Sequence, residues 1–395
     1  ALLGLVAFLS SYVAPAVASA QTTGTSTAAL SAPPPSSGAQ ASVRRDDRPG
    51  FEDVGPRGDV VWPITLALPS GMGGGITPIS TILYGSGEGQ GVFGYGWKLP
   101  IPAITRLGGT LTGTPQNVYP SPRDLLFVAN GETPLVYVCI IASATACKEG
   151  TGSLSEREAP FLPQTVGWAY YQIKVGDLSE RYFLELPRQE TFLVENAKTG
   201  AVHEFGRALD HRSDFAAGNP QARFKRQGPG LIYPFGLEGE PTQYLLVRSY
   251  RRETTDFSGE MPRPRNPVRY FYSISEHSQG VVLSSILANP VREQTGILNA
   301  AEYATRVAFA YDADPGTATR TKVVRIDVSA KPDDSPTSRR KLIRRYHLEH
   351  RRGLKDPSKS FLRSITEEGR CGDADENTWP TSCPRLPPRV FTHSE

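Results

Sequence analysis

Histidine and methionine are scarce in this chain, six and two among 395 residues, and cysteine is limited to four. The histidines are scattered, so a centre built on several imidazoles has little to draw on. Charge of one sign is also lacking: 43 Lys and Arg against 40 Asp and Glu leave a formal net charge of +3, with both signs interspersed. No global field therefore points to nucleic acid or an anionic membrane as the main partner. Long apolar runs are missing as well. The strongly apolar start ends by Val13 with Pro15 following, short of the roughly 20 residues a spanning helix needs. Amphipathic stretches of helical period are absent except for Ile297 to Tyr303, which excludes an all-helical fold.

Glycine and proline are plentiful, 38 and 34 residues, and favour turns between short strands. Rows of alternating apolar residues recur: Ile64, Leu66, Leu68; Tyr182, Leu184, Leu186; Val268, Tyr270, Tyr272; Val307, Phe309, Tyr311; and Val324, Ile326, Val328. Each is the period-two signature of a strand. Clusters such as Lys198-Thr199-Gly200 and Asp312 to Gly316 separate them, so antiparallel hairpins and meanders are expected. The expected class is all-β, with many short antiparallel strands and no strict internal repeat.

Ahead of the strands, residues 1–20 combine a short apolar run with Ala18-Ser19-Ala20, as in a signal peptide cleaved before Gln21 whose true start lies upstream. A membrane anchor is the rival reading. Residues 21–57 are Thr, Ser, Ala, Pro and Gly followed by a charged stretch, too poor in apolar side chains to fold, and are expected to be a disordered, flexible leader. The remainder, 58–395, is the expected β domain. Four cysteines suit an exported chain and fall as Cys139 with Cys147 and Cys371 with Cys383. Local disulfides are favoured over zinc because neither spacing is a C-x-x-C knuckle.

The segment richest in signal runs from Gly71 to Val138. Pro78, Ile79 and Ser80 lead into Tyr84 and Ser86, then Gly89, Gly91, Gly94, Gly96 and Trp97, and Ile104, Thr105 and Arg106 close it. This pattern resembles the opening of the SpvB-type amino-terminal domain, shared by toxin-complex B components and YD-repeat, Rhs-like proteins. Asp124 to Val138 resembles the family's next hairpin, and His203-Glu204-Phe205-Gly206 a later turn. Tyr346 to Glu349, Leu362 to Gly369, Leu386-Pro387-Pro388 and Phe391-Thr392 resemble its close. The family's central hairpin survives only loosely in Tyr250 to Tyr272, and a polar insertion spans Cys371 to Cys383. The resemblance implies a large curved sheet or part of a β shell, continued beyond the chain end, that encloses or presents a toxin. Its implied partners are further shell or YD-repeat domains, or a C-component toxin chain, with no nucleic acid and no membrane span. Independently of the family, closely spaced glycines permit bends and close backbone approach, and Trp97 is expected to fill the space they leave, its ring N–H needing a partner.

Catalytic signals are weak. Gly89, Gly91 and Gly94 satisfy G-x-G-x-x-G, but Trp97-Lys98-Leu99-Pro100 follows in place of a phosphate-binding helix. Glu238 and Glu240 give the E-x-E of ADP-ribosyltransferases inside a Gly- and Pro-rich turn, where a solvated loop is the expected reading. His347 and His350 sit three apart, a spacing that sends them to opposite faces of a strand. Asp373, Asp375 and Asn377 alternate as in calcium loops but lack the glycine and distant glutamate of an EF-hand, which makes them a weak calcium candidate; Asp312 and Asp314 are weaker still. The basic stretch Arg339 to Arg352 is read as a strand with one wet face, ahead of an anion-binding patch. The expected function is structural and secreted, with no catalytic residue and no cofactor. A surface adhesion scaffold binding glycan or protein is the alternative, and an enzyme hidden in the insertions is the second.

Overall fold

The computed structural model describes residues 60–69, 76–108, 125–141, 167–174, 179–186, 189–209, 230–232, 241–252, 264–276, 280–291, 300–317, 320–333, 337–370 and 383–392, with 123, 162, 335 and 376. Among them the regular structure is β, with one 3-10 turn at Ala300–Glu302. The one stretch of helical period, Ile297 to Tyr303, is in its described part a 3-10 turn leading into a strand, and Tyr303, which begins that strand, is fully buried.

Five short strands come first among the described residues, in two small sheets: β1 Val61–Thr65, β2 Thr81–Gly85, β3 Gln90–Gly91, β4 Gly94–Tyr95 and β5 Trp97–Lys98, paired as β1-β2-β5 and β3-β4. Then come β6 Ala103–Gly108, β7 Leu126–Ala129, β8 Thr133–Ile141, β9 Gly167–Ile173, β10 Glu180–Leu186, β11 Thr191–Asn196, β12 Ala201–Gly206, β13 Leu231–Ile232 and β14 Gln243–Arg252. Strands β6 to β12 form a continuous antiparallel run, and β14 pairs with both β6 and β12. That double pairing closes an eight-stranded barrel. The hairpin β7-β8 turns through Asn130 and Gly131, both at positive φ, which the Asn-Gly pair tolerates and the strand twist requires.

Eight strands leave an interior that side chains can fill. Phe127, Tyr171, Phe192 and Tyr244 come from β7, β9, β11 and β14, alternate strands around the ring, and meet edge to face; Phe192 lies 4.9 Å from both Phe127 and Tyr244 between ring centroids. Ile104, Leu135, Leu184 and Phe205 from the intervening strands join the same core. The outside of the barrel is buried too, by Ile141, Trp168, Tyr170, Phe183, Leu193, Val202 and Tyr250 under Leu162 and Leu209. Consecutive residues Trp168 to Tyr171 are thus each at most 1% exposed. Each such Phe or Leu contributes about 1.5–3 kcal/mol by burial.

After β14 the chain becomes a meander: β15 Pro264–Ile274, β16 Val281–Pro290, β17 Tyr303–Ala313, β18 Thr321–Ala330, β19 Lys341–Arg352, β20 Ser360–Gly369 and β21 Arg389–Val390. Its first strand pairs with the second half of β14, so β14 belongs to barrel and meander at once. One face carries Tyr270, Tyr272, Ile286, Val307, Ile326, Val328, Tyr346, Leu348, Leu362 and Ile365, continuous with the barrel core. Ile64, Leu66, Ile82 and Trp97 of the opening strands cover it. Tyrosine hydroxyls tie the layers together: Tyr346 accepts from the Ala67 amide at 2.9 Å, and Tyr272 donates to the Leu246 carbonyl at 2.7 Å.

Candidate functional site

The glycine-rich segment lies across the last strands of the meander. Val92 offers its carbonyl to the Val323 amide at 2.7 Å, Gln90 its side-chain oxygen to the Ser360 amide at 3.0 Å, and Phe93 its carbonyl to His350 Nε2 at 3.3 Å. Two glycines are dictated by this fit. A Cβ on Gly94 (φ 98°) would stand 2.9 Å from the Leu362 nitrogen, and one on Gly96 (φ 82°) 2.5 Å from the Tyr84 ring. Gly91 is tight against the Trp97 carbonyl at 3.0 Å, whereas Gly89 has open space around it.

Trp97 is buried between Tyr84, at 5.2 Å, and Phe391, at 4.9 Å between ring centroids. Tyr95 meets Phe361 at 5.6 Å, with Lys359 over its other side. The opening and closing motifs are therefore one contact surface. The indole N–H of Trp97 is buried with no hydrogen-bond partner among the described residues. Of the other signature residues, Pro78 precedes β2, next to the Ile79 amide that donates to the Tyr270 hydroxyl at 3.4 Å. Arg106 sits in β6 close enough to Tyr171 for its charge to oppose the strong upward push of burial on that hydroxyl.

Charged side chains on the opposite face are buried in pairs. Glu204 of β12 is 0% exposed; Arg248 of β14 donates to it at 2.5 Å, and the Leu209 amide does so at 3.1 Å. Arg345 donates to Asp327 at 2.7 Å and lies 3.7 Å from Glu368, which also receives His347 at 2.6 Å and Arg385 at 3.1 Å. Glu376 takes both Arg340 Nε at 2.8 Å and Nη2 at 3.0 Å, with Ser329 at 3.0 Å. Burial alone would raise the Glu368 and Glu376 carboxyls. His347, Arg345 and Arg385 hold the first below the ordinary range, and Arg340, Ser329 and Arg306 the second.

These pairs correct one expectation. Arg340 and Arg345 of the basic stretch are not on a wet face: both are buried, and each is satisfied by carboxylates from neighbouring segments. Alternation cannot distinguish a solvated face from a covered one. His347 and His350 do point to opposite faces, the first to Glu368 and the second to the glycine segment.

Cys139 is buried near the end of β8, and Cys383 opens the run to β21; Cys147 and Cys371 lie outside the described residues, as do Asp373, Asp375, Asn377, Glu238 and Glu240. Asp312 and Asp314 do not form a ligand set: Asp312 accepts from the Ala313 amide, and Asp314, buried, from the Gly316 amide. Among the described residues no three His, Cys, Asp or Glu side chains converge to hold a metal ion, and no helix is long and apolar enough to cross a membrane. One constellation escaped the sequence reading. His203 Nδ1 lies 2.8 Å from Ser249 Oγ across the β12-β14 ladder, with Glu180 near enough to oppose the lowering of the His203 pKa by burial. Ser249 is 1% exposed and its hydroxyl also serves Tyr270, so it has neither access nor freedom to act as a nucleophile.

Residues 54–176 match the family described as Salmonella virulence plasmid 65kDa B protein, SpvB. This segment is similar to SpvB. It contains every glycine of the signature, Trp97 and Arg106, and runs through the barrel strand β9. No curated protein matches the chain by sequence. Among solved structures, the TcdB2-TccC3 complex with Cdc42 aligns at a TM-score of 0.55 and 14% identity, over 86% of this chain and 16% of that one. The Photorhabdus luminescens Tc holotoxin pore carrying TccC3-D651A aligns at 0.54 and 14%, over 85% and 15%. The amino-terminal domain of effector protein SpvB from Salmonella typhimurium strain LT2 aligns at 0.49 and 15%, over 78% and 98%. The likeness to the toxin-complex chains is one of fold: beyond the SpvB segment it extends through barrel and meander. This chain spans about a sixth of their length.

Proposed function

We propose that this chain is a non-catalytic, structural segment of a secreted B-type toxin-complex or Rhs-like protein, contributing wall to a β shell that encloses or presents a toxin. The observation that carries this reading is the fold likeness to the TcdB2-TccC3 chain over 86% of the residues, joined to an SpvB match at 54–176. The architecture supports it. Aromatic rings from alternate strands fill the barrel interior, and among the described residues buried carboxylates such as Glu204 and Asp327 pair with buried guanidinium groups. A wall needs rigidity and closed edges, and a closed barrel removes the edges that invite aggregation.

Within this reading residues 1–20 direct export, 21–57 are a flexible leader, and Cys139–Cys147 and Cys371–Cys383 close local disulfides in an oxidising compartment. The partner is a further shell or YD-repeat domain of the same polypeptide, or a separate toxin chain. The test is protease protection of the coding sequence's downstream product. Co-produced with residues 58–395, a toxin region should resist a protease that digests it when this segment is deleted. Equal digestion in both cases defeats the shell reading. Turnover of NAD or a glycan by the chain, lost on changing Glu240, would defeat the non-catalytic one.

A further inference from the structure

We propose that His350 is an acid-sensitive latch between the glycine-rich segment and strand β19. Its imidazole is partly buried where β3 and β4 lie on the meander, and Nε2 reaches the Phe93 carbonyl at 3.3 Å. A carbonyl only accepts, so Nε2 carries the hydrogen and Nδ1 is bare. Nδ1 is buried and has no hydrogen-bond partner among the described residues. This tautomer suits the neutral ring, because a bare nitrogen in a dry space loses little. A second proton at Nδ1 would place a donor and a positive charge where no acceptor stands.

The charges around the ring do not rescue it. Lys322 of β18 opposes protonation, and Asp314, beyond the end of β17, favours it less strongly. From β20 the cross-strand partner is Leu362, and the opposed segment from Gln90 to Trp97 carries no ionisable charge of either sign except the Tyr95 phenol. Arg352 on the same strand donates to the Pro315 carbonyl. Burial first, then Lys322, bring the folded-state pKa down to about 4 from 6.5.

The direction follows from linkage. The undocked ring takes up a proton near pH 6.5 and the docked ring near 4, so between those values the undocked state binds more protons. Acidification through this window loosens the segment, by about 30-fold in the docking equilibrium at pH 5. Loosening exposes Val92, Phe93 and Trp97, three apolar side chains held against the meander at neutral pH.

Hydrogen-deuterium exchange on the full chain, corrected for the intrinsic pH dependence of exchange, tests this. Amides of residues 90–97 should lose protection by about tenfold or more between pH 7.5 and 5, while those of β9 to β11 hold. His350→Gln keeps a donor for the Phe93 carbonyl but cannot titrate, and should abolish the pH dependence. Lys322→Gln removes the like charge, lets the docked ring take up its proton more readily, and should therefore shrink the loss of protection at pH 5. Uniform loss over the whole chain, or an unchanged profile in His350→Gln, overturns the latch. If His350→Gln does not fold, an undiminished loss of protection at pH 5 in Lys322→Gln does so.

Discussion

At the scale of the residue, two glycines and one ion pair bear more than their share. Gly96 combines positive φ with a ring 2.5 Å from where its Cβ would stand, so Gly96→Ala is expected to cost about 1–3 kcal/mol. Gly89→Ala, with open space around it, should be close to neutral. Urea denaturation midpoints of the two variants check the contrast. Glu204→Gln leaves the Arg248 guanidinium buried beside a neutral group and should destabilise by about 3–5 kcal/mol. Replacing both, as Glu204→Leu with Arg248→Met, should recover most of that loss, since an apolar pair carries no desolvation penalty.

At the scale of the element, the decisive contact joins the two ends of the described chain. In a double-mutant cycle of Trp97→Phe and Phe391→Ala, the coupling should be about 0.5–1.5 kcal/mol, the value of an aromatic pair beyond simple burial. Zero coupling would mean the motifs touch without supporting each other. Much of this element structure was legible. The rows at Tyr182, Val268 and Val307 are strands, and the all-β class followed from turns and alternation. Register was less so. The row Val324, Ile326, Val328 is broken by a bulge, because Ala310 pairs with Arg325 and Tyr311 with Val323; Val323, not Val324, enters the core. A bulge leaves no local trace in composition. Nor did alternation show that β9 and β10 are buried on both faces, as their runs of consecutive apolar residues, Trp168 to Tyr171 and Tyr182 to Leu184, attest. The signature glycines were visible as a group; which of them are obligatory depends on Tyr84 and β20, distant in sequence.

At the scale of the whole molecule, acid should act in two stages. His203 and His350 are both held neutral by burial, so their contribution is present above pH 6.5 and is lost progressively as pH falls. The Glu368 and Glu376 carboxyls are depressed instead, so theirs persists above the ordinary carboxylate range and disappears as pH falls through their lower folded-state values. Stability from urea titrations should therefore decline below pH 6.5 and fall again below about 4. A flat profile from pH 7 to 5 would show that neither histidine is buried as described. A cavity test addresses the barrel: Phe192→Ala should cost about 3–5 kcal/mol, the loss for a large side chain central to a filled core.

The clasp between the glycine-rich segment and β20 also has a consequence in time. Gln90 and Ser360 are 270 residues apart, and Ala67 and Tyr346 are 279. A chain that leaves the ribosome or crosses a membrane from its amino terminus delivers the opening strands first, yet gives them nothing to rest on until β19 and β20 have emerged. Such distant pairings are slow to form, because loop closure must come before any contact rewards it. The barrel waits likewise for β14. The opening strands, made before the meander, are thus among the last elements to settle, and their docking marks a chain whose β19 and β20 have already emerged.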